Sequence, residues 1–128
     1  MDYDDVHLIL IEEFPEIVSL IDDDDFELPY ITAFLFVKYM LEAYKNGNKE
    51  TYKKGLDFIE RLHLSEAQCV RELATVGYLE SLHGNMSRDY IDLGILYNDL
   101  GEETKKWWIE LDRFWGGKIK YLGETYPI

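Results

Sequence analysis

The sequence predicts an all-α protein, a single-domain bundle of six to seven helices with a short extended or strand-like C-terminal tail. Three observations lead there. Apolar residues recur at helical spacing in at least five segments, separated by capping residues, Gly or Pro. No strong two-residue alternation precedes residue 118. The 128 residues suffice for one hydrophobic core and are too few for two, and 47% apolar and 15% aromatic residues supply it. The expected domain is 1–128, with an acidic segment over 1–30 and a tail over 116–128. Short loops imply antiparallel neighbours.

Val6, Ile9 and Leu10 open the first helix near Asp4 or Asp5. Pro15 interrupts it, because the residue before a proline avoids the helical region, so Phe14 marks a break. Pro15 then suits the first turn of a short helix carrying Ile17, Leu20 and Ile21. Asp22 to Asp25 form a loop of adjacent like charges. Pro29 starts the next helix, roughly Tyr30 to Lys45, which is apolar on most of its circumference and therefore expected at the centre. Asn46-Gly47 stops it, and Asn48 caps a helix running to about His63, with Tyr52, Leu56, Ile59 and Leu62 as its stripe. Ser65 and Gln68 fit a capping box for a helix ending at Gly84. Ser87 is the expected cap of one carrying Leu93, Leu96 and Leu100. Glu102 and Glu103 favour the positive end of a last helix with the stripe Trp107, Trp108, Leu111, Phe114 and Trp115. The spacing of Trp107, Trp108 and Trp115 reads as a buried core stripe; Trp107 and Trp108 point about 100° apart, which leaves a position at the rim as the alternative for one of them. Gly116-Gly117 ends the helix.

Composition excludes several classes. Ten Tyr, six Phe and three Trp are incompatible with a disordered chain. One Cys excludes a disulfide framework and a Cys-based zinc site, and Cys69 reads as a reduced, buried small residue. The formal charge of −13 argues against nucleic-acid and anionic-membrane partners. The longest uncharged stretch at the apolar centre, Leu28 to Val37, is ten residues, against about 18 for a spanning helix. No Lys or Arg precedes Lys38, so no basic secretory n-region is present and a cytoplasmic location is expected.

The charge is concentrated. Residues 1–30 hold eleven acids and no Lys or Arg, whereas the other 98 residues are nearly balanced, with 15 acids and 13 bases. A one-sign block costs more electrostatically than interspersed signs, and so points to steering toward a basic partner. The expected contact set is Asp22, Asp23, Asp24, Asp25 and Glu27, flanked by Glu12, Glu13 and Glu16. The aspartate run lacks the alternation, Gly and final Glu of a calcium loop.

A second reading is a metal-dependent helical-bundle enzyme. Glu60-x-x-His63 and Glu80-x-x-His83 repeat the spacing that di-metal bundles use to project two ligands from one helix face. Both His fall in the last turn of their helices, where the dipole favours His⁺ without any metal. No Gly-rich phosphate loop and no nucleophile with an oxyanion loop accompanies Cys69, so no catalytic residue and no cofactor is expected.

The order of segments also resembles a known group. Glu12-Glu13-Phe14-Pro15-Glu16-Ile17, an acidic loop, Leu28-Pro29-Tyr30-Ile31-Thr32-Ala33-Phe34, Leu56-Asp57-Phe58-Ile59-Glu60, Val76-Gly77-Tyr78-Leu79-Glu80-Ser81-Leu82 and Leu100-Gly101-Glu102-Glu103-Thr104-Lys105-Lys106 are similar to small bacterial all-helical proteins. Those proteins resemble immunity proteins of polymorphic-toxin and contact-dependent growth inhibition systems. The resemblance covers roughly residues 6–115, carries no catalytic signature and supplies no binding residues; the tail from Gly116 departs from it. It implies a non-enzymatic inhibitor whose partner is a cognate secreted toxin, with a nuclease, and among nucleases an RNase, as the preferred target.

Overall fold

The computed structural model of the chain describes residues 2–22, 24–25, 28–88, 92–120 and 122–123. Among them are seven α-helices: α1 (Val6–Glu13), α2 (Pro29–Lys45), α3 (Lys49–His63), α4 (Gln68–Glu72), α5 (Glu80–Arg88), α6 (Leu93–Asp99) and α7 (Glu102–Trp115). Tyr3–Asp5 and Pro15–Leu20 are 3₁₀ turns, and a π-helical segment, Leu73–Leu79, joins α4 to α5 without interruption. No strand occurs among the described residues, and the expected all-α single-domain bundle is the architecture found.

Local chemistry explains most boundaries. Phe14 leaves the helical region (φ −132°, ψ 65°) in front of Pro15, so α1 stops there. Pro29 occupies the first turn of α2, where its missing N–H matters least. Gly47 follows α2 with φ +82°, a conformation that favours glycine. The Asn48 side chain accepts from Thr51 N–H (3.2 Å) and caps α3.

The core gathers around α2, which packs on α3, α5, α1 and the π segment. Its centre is aromatic. Phe36 lies 4.8 Å from Phe14 and 6.0 Å from both Phe58 and Tyr78, ring centre to ring centre, in edge-on contacts. Gly55 lets α3 approach α2 closely: a Cβ there would come within 2.7 Å of the Met40 sulfur.

Several local expectations are corrected. The segment after Pro15 is a 3₁₀ turn with Leu20 exposed, not a short α-helix. The α2 helix is central, yet Tyr30, Ile31 and Phe34 are exposed on its outer face. Ala67, not Ser65, stands at the N-cap of α4, and the Ser65 hydroxyl instead accepts from Ala67 N–H (3.1 Å). The helix after it passes through Gly84 to Arg88, which places Ser87 inside α5; Asp92 caps α6 by accepting from Gly94 N–H (2.8 Å). Trp107 and Trp108 are both buried, as a core stripe requires, and neither takes the rim position; Trp115 and Phe114 are the exposed members of that stripe. Cys69 is exposed, because Val70 and Leu73 take the inward positions of its helix. In the tail, residues 116–120 turn and bend, with Ile119 buried; Tyr121 and residues 124–128 lie outside the described residues.

Candidate functional site

The acidic segment contributes Val6, Leu10, Phe14, Ile17 and Ile21 to the core and turns its acids outward from that buried side. Val6, Leu10 and Phe14 point inward at near-helical spacing, which leaves Asp5, Leu8 and Glu12 on the solvent side of α1. Glu12, Asp22 and Asp24 stand in solvent. Beside them in the chain are three exposed apolar residues: Leu8 (56% exposed), Val18 (45%) and Leu20 (56%). Asp23 and Glu27 lie outside the described residues.

Of the remaining three acids, Glu13 and Glu16 hold the segment down through their carboxylates and Asp25 through its backbone carbonyl. Both carboxylate oxygens of Glu13 accept from Arg61 Nη1 at 2.7 Å, and the Glu13 carbonyl accepts from Lys54 Nζ at 2.8 Å. The Tyr39 hydroxyl donates to Glu16 and holds that carboxyl below the usual carboxylate range. Burial, reinforced by this partner, pushes the Tyr39 hydroxyl up to about 12. Asp25 is half-buried, and its carbonyl accepts from the Thr32 hydroxyl (2.7 Å). The structure thus divides the expected footprint into Glu13 and Glu16, whose carboxylates are engaged within the fold, Asp25, which is half-buried and held through its backbone carbonyl, and Glu12, Asp22 and Asp24, which stand in solvent.

The Glu60 and His63 pair belongs to a different construction. Glu60 reaches from α3 to the N-terminus of α7, where Oε1 accepts from Thr104 N–H (2.8 Å) and its hydroxyl (2.7 Å), and Oε2 from Glu103 N–H (3.1 Å). The N-cap position of α7 is Gly101, which has no side chain, so Glu60 supplies the cap from another helix. A Cβ on Gly101 would occupy the place of the Glu60 carboxylate. His63 is 2% exposed, with Nδ1 2.9 Å from Thr104 Oγ1 and Nε2 2.9 Å from Thr75 Oγ1. Since the Thr104 hydroxyl donates to Glu60, Nδ1–H donates to Thr104; in the neutral imidazole Nε2 then accepts from the Thr75 hydroxyl, which also lies 3.3 Å from the Arg71 carbonyl. Burial drives the His63 pKa down to about 4, consistent with this neutral form.

Glu80 and His83 lie elsewhere. The His83 ring centre is 4.7 Å from that of Trp108 and 4.3 Å from that of Trp115, and its Nε2 is 3.8 Å from Asp112. Burial lowers the His83 pKa against the opposing pull of Asp112, and burial raises that of Glu80. The donor atoms of Glu60 and His63 are thus taken by protein partners, and His83 is packed between indoles. Among the described residues no three His, Cys, Asp or Glu side chains gather as a metal site.

A family model matches residues 8–116, from α1 to the residue after α7. The chain belongs to that family, described as Domain of unknown function (DUF7674). The DUF7674 region therefore takes in α1 from Leu8, with Glu12 and Glu13, the acidic loop and the whole Glu60–His63 network, and leaves out the tail from residue 117. No curated protein and no solved structure matches the chain.

No helix among the described residues is long and apolar enough to cross a membrane.

Proposed function

We propose that this protein is a non-enzymatic immunity-type inhibitor that neutralises a cognate toxin, a nuclease and by preference an RNase, by covering its basic active-site cleft. The observation that carries this reading is the one-sign N-terminal surface, eleven acids and no Lys or Arg in 30 residues. Glu12, Asp22 and Asp24 remain exposed there, close in sequence to the exposed Leu8, Val18 and Leu20.

The physical logic has two parts. Exposed carboxylates of one sign attract a phosphate-binding cleft at a distance and raise the encounter rate. Apolar side chains among them provide the area that holds the complex once formed, since rim charges mainly set the on-rate. A partner of this kind sits most naturally in the cytoplasm, where such a toxin acts. The test is to express the chain with the product of the adjacent reading frame and assay that product's nuclease activity. The expected result is a complex and stoichiometric loss of nuclease activity. A product that neither associates with the chain nor loses activity overturns the proposal.

A further inference from the structure

A groove of about 310 Å³ opens between the end of the 3₁₀ turn Pro15–Leu20 and α2, lined by Leu20, Leu35, Lys38, Tyr39 and Glu42. The last four share one face of α2 at three- and four-residue spacing. Leu35 and Tyr39 are half-buried and rest on the core, whereas Leu20 is 56% exposed. One wall is thus held firmly by the fold, and the other is an aliphatic side chain standing in water.

The groove lacks the convergent polar groups that orient a small molecule. The Tyr39 hydroxyl is already donated to Glu16. Lys38 lends its aliphatic stem, while its Nζ lies 5.2 Å from the centre of the Phe34 ring, one turn nearer the start of α2. What remains is an apolar slot with charges at its edges. That is the anatomy of an anchor pocket in a protein interface, where one large side chain fills the centre and a polar rim excludes water.

The edge charges indicate what kind of segment brings the anchor. From Pro15 to Pro29 the chain holds acids and no base. Glu16 stands in solvent at the tip of Tyr39, and that bond keeps its carboxyl below the usual range, so it is ionised. Asp22 and Asp24 follow two and four residues beyond Leu20, both exposed. The base that faces Glu16, Lys54, is held by the Glu13 carbonyl (2.8 Å) and lies 4.8 Å from the Phe14 ring centre. On the other side, Lys45 and Arg88 line a neighbouring depression with Asn85, to which Arg88 donates. The positive charge of an occupant therefore belongs on the Leu20 side.

We propose that this groove seats one large apolar side chain, a phenylalanine or leucine, from a basic segment of a partner polypeptide whose flanking Lys or Arg residues face Glu16, Asp22 and Asp24. That this segment belongs to the toxin rests on the reading above. In that complex the groove governs release, and the acids govern encounter.

The test has two arms. The first follows the backbone amides of the full chain by NMR at low salt, during titration with the peptide Ac-Lys-Lys-Phe-Lys-Lys-NH2 to about 10 mM. Two control peptides replace Phe by Ser, or every Lys by Glu. Saturable shifts centred on the groove residues are expected, with the Ser peptide about tenfold weaker and the acidic peptide not saturating. Leu20→Ser should reduce binding of the Phe peptide to the level of the Ser peptide, with amides away from the groove unmoved. The second arm measures release of the toxin from the neighbouring reading frame, expected about tenfold faster from Leu20→Ser with association unchanged. Equal binding of the Phe and Ser peptides overturns the groove and leaves the toxin reading standing. So does a Leu20→Ser chain that binds the Phe peptide, or releases the toxin, as the parent does. Peptide binding that appears only after Phe26→Ala makes the chain's own loop the occupant, and a parent dimer that Leu20→Ser dissociates makes it a second copy; either overturns the proposal. A toxin that ignores the parent, while the Phe peptide binds as described, overturns the toxin reading and leaves the groove standing.

Discussion

His63 shows how one buried side chain ties together elements distant in sequence. Its two ring nitrogens join Thr75 in the π segment to Thr104 in α7, and Thr104 joins Glu60. The neutral imidazole accepts at Nε2 from the Thr75 hydroxyl, whereas protonation makes Nε2 a second donor, turns that hydroxyl to the Arg71 carbonyl 3.3 Å away and leaves a charge in a buried site. The folded-state pKa of about 4 lies below the ordinary 6.5, so between these values the unfolded chain holds more protons than the folded one. The His63 contribution is therefore fully present above pH 6.5 and is lost as pH falls through about 4. The difference corresponds to no more than about 3 kcal/mol. Chemical denaturation of the parent should show stability falling over this window, and His63→Gln should flatten that part of the profile. An unchanged slope in the variant would show that the network does not titrate as described. Glu13 is the opposite case. Its ion pair with Arg61 is partly solvated, so Glu13→Gln should cost at most about 1 kcal/mol, measured by the same denaturation.

At the scale of elements, helices and caps divide into those that declare themselves locally and those that do not. Asn48, Pro15, Pro29 and Gly47 act through their own backbone or nearest neighbours, and the boundaries they set were readable from the chain. Ser65 and Ser87 fail as caps for opposite reasons: Ser65 already stands outside the helix, but α4 starts only at Gln68 behind Ala67, whereas position 87 lies inside α5, where the backbone has not left the helix. The π segment Leu73–Leu79 has no local signature. Its extra residue per turn is a consequence of fitting one continuous rod, α4 to α5, against α2 and α3. The cap of α7 was equally hidden, since Glu60 lies more than 40 residues away from the N–H groups it receives. That cap yields a prediction. Gly101→Ala puts a methyl where the Glu60 carboxylate sits, and should destabilise the fold by about 1–2 kcal/mol in thermal or chemical unfolding. Glu60→Ala should cost a similar amount, and the double variant less than the sum, because both act on one contact. Full additivity would show that Gly101 serves some other purpose.

For the molecule as a whole, the asymmetry of charge is the feature that most distinguishes this chain from an ordinary helical bundle. The segment was legible from composition alone: net −11 in 30 residues against −2 in the rest. Which acids are available to a partner was not, because that depends on contacts made across the fold. Arg61 is 48 residues from Glu13, and Tyr39 is 23 from Glu16. Nor was the exposure of Leu8, Val18 and Leu20 foreseeable, since helical spacing alone assigns Leu20 to the core. The outcome is a smaller footprint, Glu12, Asp22 and Asp24 with neighbouring apolar side chains, that can be altered without touching the anchoring acids. The most direct measurement is stopped-flow association of the triple variant Glu12→Gln, Asp22→Asn, Asp24→Asn with the toxin from the neighbouring reading frame, at low and at roughly physiological salt. Exposed charges are screened over about 8 Å at physiological ionic strength. Association of the parent should therefore slow as salt rises, and the variant should associate about tenfold more slowly at low salt, with a flatter salt dependence and little change in dissociation. If parent and variant associate at the same rate at both salts, the acidic surface does not steer the partner and the central claim is wrong.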